Sequence, residues 1–345
     1  MIYFPIRTAL ITTIVVAASS LLVAQESPRW QLFQGQDLNY QVENRVRLSV
    51  GQPPTDYRLD QQFNLTWNVK EIADDGTAQI QQVVERIVLK LDDPLGNLEY
   101  NSSTDEDPHG LAALMGPIFR AFREHPLTFG LSPDGEIVDL QVPEQVLTSM
   151  VHGPLASPLS PFASKEGLRH LFFEGIVQFQ GTPWEPGVTW STSNKTSNEI
   201  LGPQKVQRTF RYVREEQAGD DTLAVIETTR IVINENDDEA LLITVEGSAG
   251  EIRFNQTKGH LQSSQWTATT KLTPDGNETN TPAQLHQSFN MTFVPPAENE
   301  PAKPKPDQPE PDQSKPAQPE PAQPEPAQPE PAKPEPAKPD AQPQG

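Results

Sequence analysis

Residues 57–91 read YRLDQQFNLTWNVKEIADDGTAQIQQVVERIVLKL, and they decide the fold. Tyr57, Leu59, Phe63, Leu65, Trp67 and Val69 fall on alternate positions with mostly polar residues between them, the period-two pattern of a half-buried strand. Asp74, Asp75 and Gly76 interrupt it. Ala78, Ile80, Val83, Val84, Ile87, Val88, Leu89 and Leu91 then resume an apolar strand, and Asp-Gly between two such runs signals a hairpin. The stretch predicts one long antiparallel hairpin. A second runs from Val206 to Ile233, so the fold class is mainly β: a large curved antiparallel sheet with a few short helices on one face.

Upstream, Leu38, Tyr40, Val42, Val46, Leu48 and Val50 share one face of a first strand that Gly51, Pro53 and Pro54 end. Downstream, the polar run Asn101 to His109 leads into a helix, where Leu111, Leu114, Met115, Ile118, Phe119 and Phe122 recur at spacings of three and four. Gly116 and Pro117 inside it predict a kink or a split into two short helices. Ser132-Pro133-Asp134-Gly135 reads as a turn. Pro143–Val151 reads as a second helix, and Ser164 can cap a third over Lys165–Phe173. Gly153 to Pro161 reads as a connector between halves at 31–152 and 164–294. The second half is almost purely strands, including Leu241–Val245 and Glu251–Phe254, with a hairpin turn over Gly247–Gly250. Glu85-Arg86-Ile87-Val88-Leu89 reads like Thr229-Arg230-Ile231-Val232-Ile233, and Thr66-Trp67 like Thr209-Phe210. Duplication explains this match, and so does chance in a β-rich chain.

The two ends differ from the body. Residues 1–24 read as an export signal, with Arg7 before an uncharged run from Thr8 to Ala24 and cleavage expected before Gln25; the competing reading is an uncleaved anchor. From 295 to 345 the chain turns to near-repeats of Pro-Ala-Gln-Pro-Glu holding 18 of the 36 prolines, with no residue able to form a core, so this tail is expected to stay extended and disordered. It reads as a spacer or adhesive tail, or as a tolerated extension. The body, residues 25–294, is large enough to fold without metal or disulfide. With no cysteine, it has no disulfide framework, thiolate metal site or cysteine nucleophile, which fits a bacterial periplasm or cell surface.

Without the signal and tail the body carries 37 acidic and 20 basic residues, net −17. Such a surface argues against nucleic acid and anionic membranes as partners. The six histidines, at 109, 125, 152, 170, 260 and 286, form no helix-face zinc pair. Asp105-Glu106-Asp107-Pro108-His109 lacks the spacing of a calcium loop and reads as a solvated loop near a helix N-terminus. No Gly-x-Ser-x-Gly, phosphate loop or dinucleotide fingerprint occurs, so no cofactor or catalytic residue is assigned. The helix stripe Leu114, Met115, Ile118, Phe119 and Phe122 has two readings. It is ordinary core on the sheet, or one wall of an incompletely closed groove for a lipid-like ligand, with Met115 and Phe119 near the mouth.

The layout of export signal, long hairpin, short helices, Phe129-Gly-Leu-Ser-Pro-Asp-Gly-Glu-Ile137 and Trp184-Glu-Pro-Gly-Val-Thr-Trp190 resembles uncharacterised exported β-rich proteins of planctomycete-type bacteria, over about residues 35–294. More distantly, the architecture is similar to periplasmic lipoprotein carriers of the LolA type. The resemblance implies an exported, non-enzymatic envelope protein that binds an apolar or extended ligand, or an envelope partner. A structural protein held by its Pro-rich tail and a carbohydrate-active enzyme are the alternatives.

Overall fold

The computed structural model describes residues 28–51, 53–94, 96–105, 108–151, 164–181, 184–198, 202–234, 241–274 and 283–296. The expected export signal, the connector at 153–161 and the tail beyond Pro296 lie outside these residues. Those described form β1 (Asp37–Val50), β2 (Thr55–Ile72), β3 (Ala78–Asp93), β4 (Gly96–Asn101), a 3-10 turn (Gly110–Leu114), α1 (Met115–Glu124), β5 (Leu127–Leu131), β6 (Ile137–Gln141), α2 (Glu144–Val151), α3 (Lys165–Phe173), β7 (Thr189–Asn198), β8 (Gly202–Ala218), β9 (Asp221–Asn234), β10 (Leu241–Asn255), β11 (His260–Pro274) and β12 (Ala283–Val294).

All twelve strands join one antiparallel sheet in the order β6-β5-β3-β2-β1-β12-β11-β10-β9-β8-β7, with β4 beside β3. The sheet is not closed, because β6 and β7 stand at opposite edges. Its two meanders meet where β1 pairs β12, from Asn39↔Val294 to Val50↔Ala283. The β2–β3 hairpin is long because alternation survives through its whole length. Trp67 stands opposite Gln82 and Val69 opposite Ile80, with bulges at Asn64/Leu65 and Val69/Glu71 that increase the local bend and twist.

One face carries the core. Tyr40 and Val42 of β1, Phe63, Leu65 and Trp67 of β2, Phe210 and Tyr212 of β8, Ile252 of β10 and Met291 of β12 are all buried in a single contiguous cluster. The three helices pack over that face. Phe172 of α3 meets Phe63 edge-on at 5.2 Å and Phe122 of α1 at 5.8 Å, and Phe173 meets Phe129 of β5 at 4.7 Å. Buried aromatic rings of this size account for much of the energy of such a core. Ser164 caps α3 by accepting from the Gly167 amide at 2.9 Å. The kink expected at Gly116 and Pro117 is realised as the change from 3-10 turn to α1 at Met115. Among the described residues no helix is long and apolar enough to cross a membrane.

One expectation from the sequence is corrected. Gly247–Gly250 is not a turn, because β10 runs through it as one strand with a bulge between Val245 and Gly247, paired to β11 on both sides. Gly247 adjoins the bulge, and Gly250 allows close packing of β10 on its neighbours, since a Cβ there would lie 2.5 Å from the Gln265 carbonyl oxygen. The matched pentapeptides are out of phase: Ile87 is fully buried whereas its counterpart Ile231 is exposed. A one-residue offset sends every side chain to the other face.

Candidate functional site

The structure places the α1 stripe plainly. Met115, Ile118 and Phe122 are buried in the core, and their rings and chains fill the space between helix and sheet. Phe119 is only half-buried and lines a shallow surface depression of about 510 Å³ with Tyr100, Pro108 and Arg120. The side chain of Leu114 lies outside the described residues. In the polar loop before α1, the Asp105 carboxylate accepts from the Asn101 amide at 2.7 Å, while Glu106 and Asp107 lie outside what is described. Among the described residues no group of three or more acidic or histidine side chains is placed to hold a metal.

A buried ionic cluster, which sequence reasoning missed, lies under α3. Arg208 of β8 and Arg230 of β9 stand directly opposite each other, and both point to the core face. Like charges in that arrangement repel. Glu174, at the C-cap of α3, reaches between strands and helix: its Oε2 accepts from Arg230 Nη1 at 3.0 Å and its Oε1 lies 2.5 Å from His170 Nδ1. Arg230 Nη2 lies 3.4 Å from His170 Nε2. A guanidinium only donates, so the tautomer satisfying both contacts carries its proton on Nδ1. Arg230 also lies over the Trp266 ring at 4.8 Å. Burial works to raise the Glu174 carboxyl, but Arg230, His170 and Arg208 outweigh it and hold the group far below the usual carboxylate range. Burial brings Arg208 down to about 10. One signal was available in sequence, since Arg208 falls in phase with Val206, Phe210 and Tyr212 on the apolar face of β8.

Beside this cluster is a small pocket of about 60 Å³, walled by α3 and the segment after it, by β7 and β8, and by the start of β6 with the turn before it. Arg169, Lys195 and Arg208 line it, facing Glu166 and Glu174. Arg169 donates both terminal nitrogens to the Ile137 carbonyl at 3.2 Å.

At the other end of the sheet an open depression of about 1100 Å³ lies between the segment before β1 and the ends of β8, β9, β11 and β12. Leu38, Leu223 and Phe293 contribute its apolar lining, Pro295 and Pro296 also line it, and Phe33 stands 63% exposed over it. The main chain around Phe33 is firmly held. The Gln31 amide donates to the Gly259 carbonyl at 2.9 Å, that of Gly35 to the Val69 carbonyl at 2.8 Å, and that of Val69 back to Gln36 at 2.9 Å. His260 lies against the Phe293 ring at 4.5 Å and donates Nδ1 to the Leu261 carbonyl at 3.0 Å; burial pushes its pKa down. Lys258 and Asn255 share the Asp221 carboxylate at 2.7 and 2.9 Å and lower its pKa.

No family model matches this chain, and no curated protein matches it. Among solved structures, lipovitellin, in a structure concerned with lipid–protein interactions, is similar with a TM-score of 0.43 and 12% identity, over 76% of this chain and 25% of its own. The chain thus spans about a quarter of that protein. DynF from the dynemicin biosynthesis pathway of Micromonospora chersina has a TM-score of 0.21 and 10% identity, over 85% of this chain and 94% of its own. Pseudomonas aeruginosa OccK11 (OpdR) has a TM-score of 0.18 and 8% identity, over 79% and 99%. These are distant neighbours, and nothing about the function of this chain follows from them. Neither the planctomycete-type nor the LolA-type resemblance gains a sequence or family match.

Proposed function

We propose that this chain is an exported, non-enzymatic binding protein of the bacterial envelope, and that an apolar, lipid-like ligand seats in the depression beneath Phe33. The observation that carries this reading is an aromatic side chain left 63% exposed on a segment whose backbone is pinned to β2 and to the turn before β11. An exposed Phe in a rigid apolar recess gains roughly 1.5–3 kcal/mol on being covered. A volume of about 1100 Å³ suits a small lipid or acyl chain. Export is supported by the uncharged run from Thr8 to Ala24 and by a body that folds without cysteine.

The test is displacement of a fluorescent fatty acid from the purified full chain and from Phe33→Asp. Saturable binding weakened tenfold or more by the substitution supports the proposal. Equal affinity in both proteins refutes the site, and envelope association lost on deleting residues 297–345 would then favour the structural alternative. Cell fractionation with N-terminal sequencing tests export, with Gln25 expected as the first residue of the mature chain.

A further inference from the structure

We propose that the pocket between α3 and the β7–β8 edge binds a small oxyanion, a carboxylate or phosphate group, through Arg208, Arg169 and Lys195. This site is separate from the apolar depression. Arg208 and Ala218, which line the two, are ten residues apart on β8, about 33 Å along an extended strand.

Three observations support the assignment. First, Arg208 is unfinished. Its side chain lies on the core face with the residue only 9% exposed, its Nη1 donates to the Ile176 carbonyl at 3.0 Å, and its Nη2 is buried with no partner. It is the only side-chain atom among the pocket-lining residues in that state. A buried charged donor without an acceptor is costly, and natural structures rarely leave one unless a ligand or water completes it.

Second, the pocket gathers cations. Arg169, Lys195 and Arg208 all line it, with Glu166 and Glu136 acting on Arg169 and with Glu174 engaged by Arg230 and His170. This concentration of basic groups sits in a chain whose net charge is −21. An acidic protein repels anions at long range, so a basic recess in it selects by close contact. Guanidinium groups suit that role, because their fork of donors matches the paired oxygens of carboxylate and phosphate.

Third, the space fits. About 60 Å³ exceeds what a single water needs and accommodates a group of four or five heavy atoms. Thr192 of β7, directly across from Arg208, adds a hydroxyl to the same wall.

Isothermal titration calorimetry on the full chain, with sodium phosphate against sodium chloride at matched ionic strength, tests the proposal. Saturable phosphate heat, weakened tenfold or more in Arg208→Met and several-fold in Arg169→Gln and Lys195→Gln, is the expected result. If Arg208→Met does not fold, the other two variants decide. Acetate and glycerol 3-phosphate form the further arms. Tighter glycerol 3-phosphate points to an esterified phosphate such as a headgroup, tighter free phosphate to the inorganic ion, and tighter acetate to a carboxylate, each in support. Heats equal to those of chloride for all three probes, or binding that none of the variants changes, would mean that water alone completes Arg208 and would overturn the proposal.

Discussion

Replacing Glu174 by Gln tests how the buried cluster is held together. The substitution keeps the volume and removes the charge between two arginines that face each other across β8 and β9. The two guanidinium groups act on each other as well as on Glu174, and unit charges roughly 5–8 Å apart repel by about 2–3 kcal/mol at an effective dielectric constant of about 20. Breaking a buried pair by removing one partner costs roughly 3–5 kcal/mol by mutational experience, in the same range. A domain of this size has a stability of about 5–15 kcal/mol, so Glu174→Gln removes a large share of it. Urea unfolding at pH 7.5, followed by the fluorescence of the five tryptophans, is the assay. The midpoint should fall by 1 M or more at unchanged slope, taking a slope of about 3 kcal/mol/M. The triple change Glu174→Leu, Arg208→Met, Arg230→Met should recover most of the loss, since a packed apolar set replaces a buried ionic one at little cost. A loss below about 1 kcal/mol for Glu174→Gln alone would show that the arginines reach water, and would refute the reasoning.

Three further outcomes follow. Gly135→Ala should destabilise by on the order of 3 kcal/mol in the same assay, because Gly135 has φ +84° and a methyl group there would lie 2.1 Å from the Val177 carbonyl oxygen and 2.7 Å from Trp30 Nε1; wild-type stability would show that this turn is free to move. Phe172→Ala should cost about 3–5 kcal/mol, since the fully buried ring it removes joins Phe63 to Phe122, and a smaller loss would show that α3 collapses onto the sheet. The His260 pKa lies below its ordinary 6.5 in the folded chain, so the unfolded chain takes up its proton first. Stability from this group is therefore whole above about pH 6.5 and is lost as pH falls toward the folded value, by up to about 1.4 kcal/mol per pH unit. Melting temperature from pH 7.5 to 5.5 should show that slope, and His260→Asn should flatten it; an unchanged slope would place the titration elsewhere. The share due to Glu174 survives this window, because a carboxyl held below its ordinary 4.5 loses its contribution only in stronger acid.

The β2–β3 hairpin was legible because two physical signals coincide. Alternation is sustained where one face is buried, and Asp74-Asp75-Gly76 supplies the reversal that ends β2 at Ile72 and begins β3 at Ala78. Gly247–Gly250 misled because a bulge and a turn use the same residues; only the pairing of Gly247 with Thr269 and Gly250 with Trp266 shows that the strand continues. The α1 stripe was legible as amphipathic, yet its period does not say what it packs against, and Phe63 and Phe172 arrive from distant parts of the chain. The cluster was hidden for another reason. Charged residues are read by default as solvated, and Arg230 faces the core only because its strand pairs it with Arg208.

The cluster also explains why α3 sits where it does. Two opposed arginines on the core face are unfavourable, and so is a carboxylate at a helix C-terminus, where the dipole favours cations. Each conflict is relieved only when α3 docks with Glu174 between His170 and Arg230. The aromatic contacts of Phe172 and Phe173 fix how deeply the helix packs; the ionic contacts fix its position along β8 and β9, since a shift by one residue would leave the charges buried and unpaired. Such clusters contribute specificity more than net stability. Arg208 is the exception within it, since docking α3 satisfies Arg230 and leaves one Arg208 nitrogen without an acceptor. A group whose burial is arranged by the fold but whose bonding is not completed by it is where a ligand has most to add.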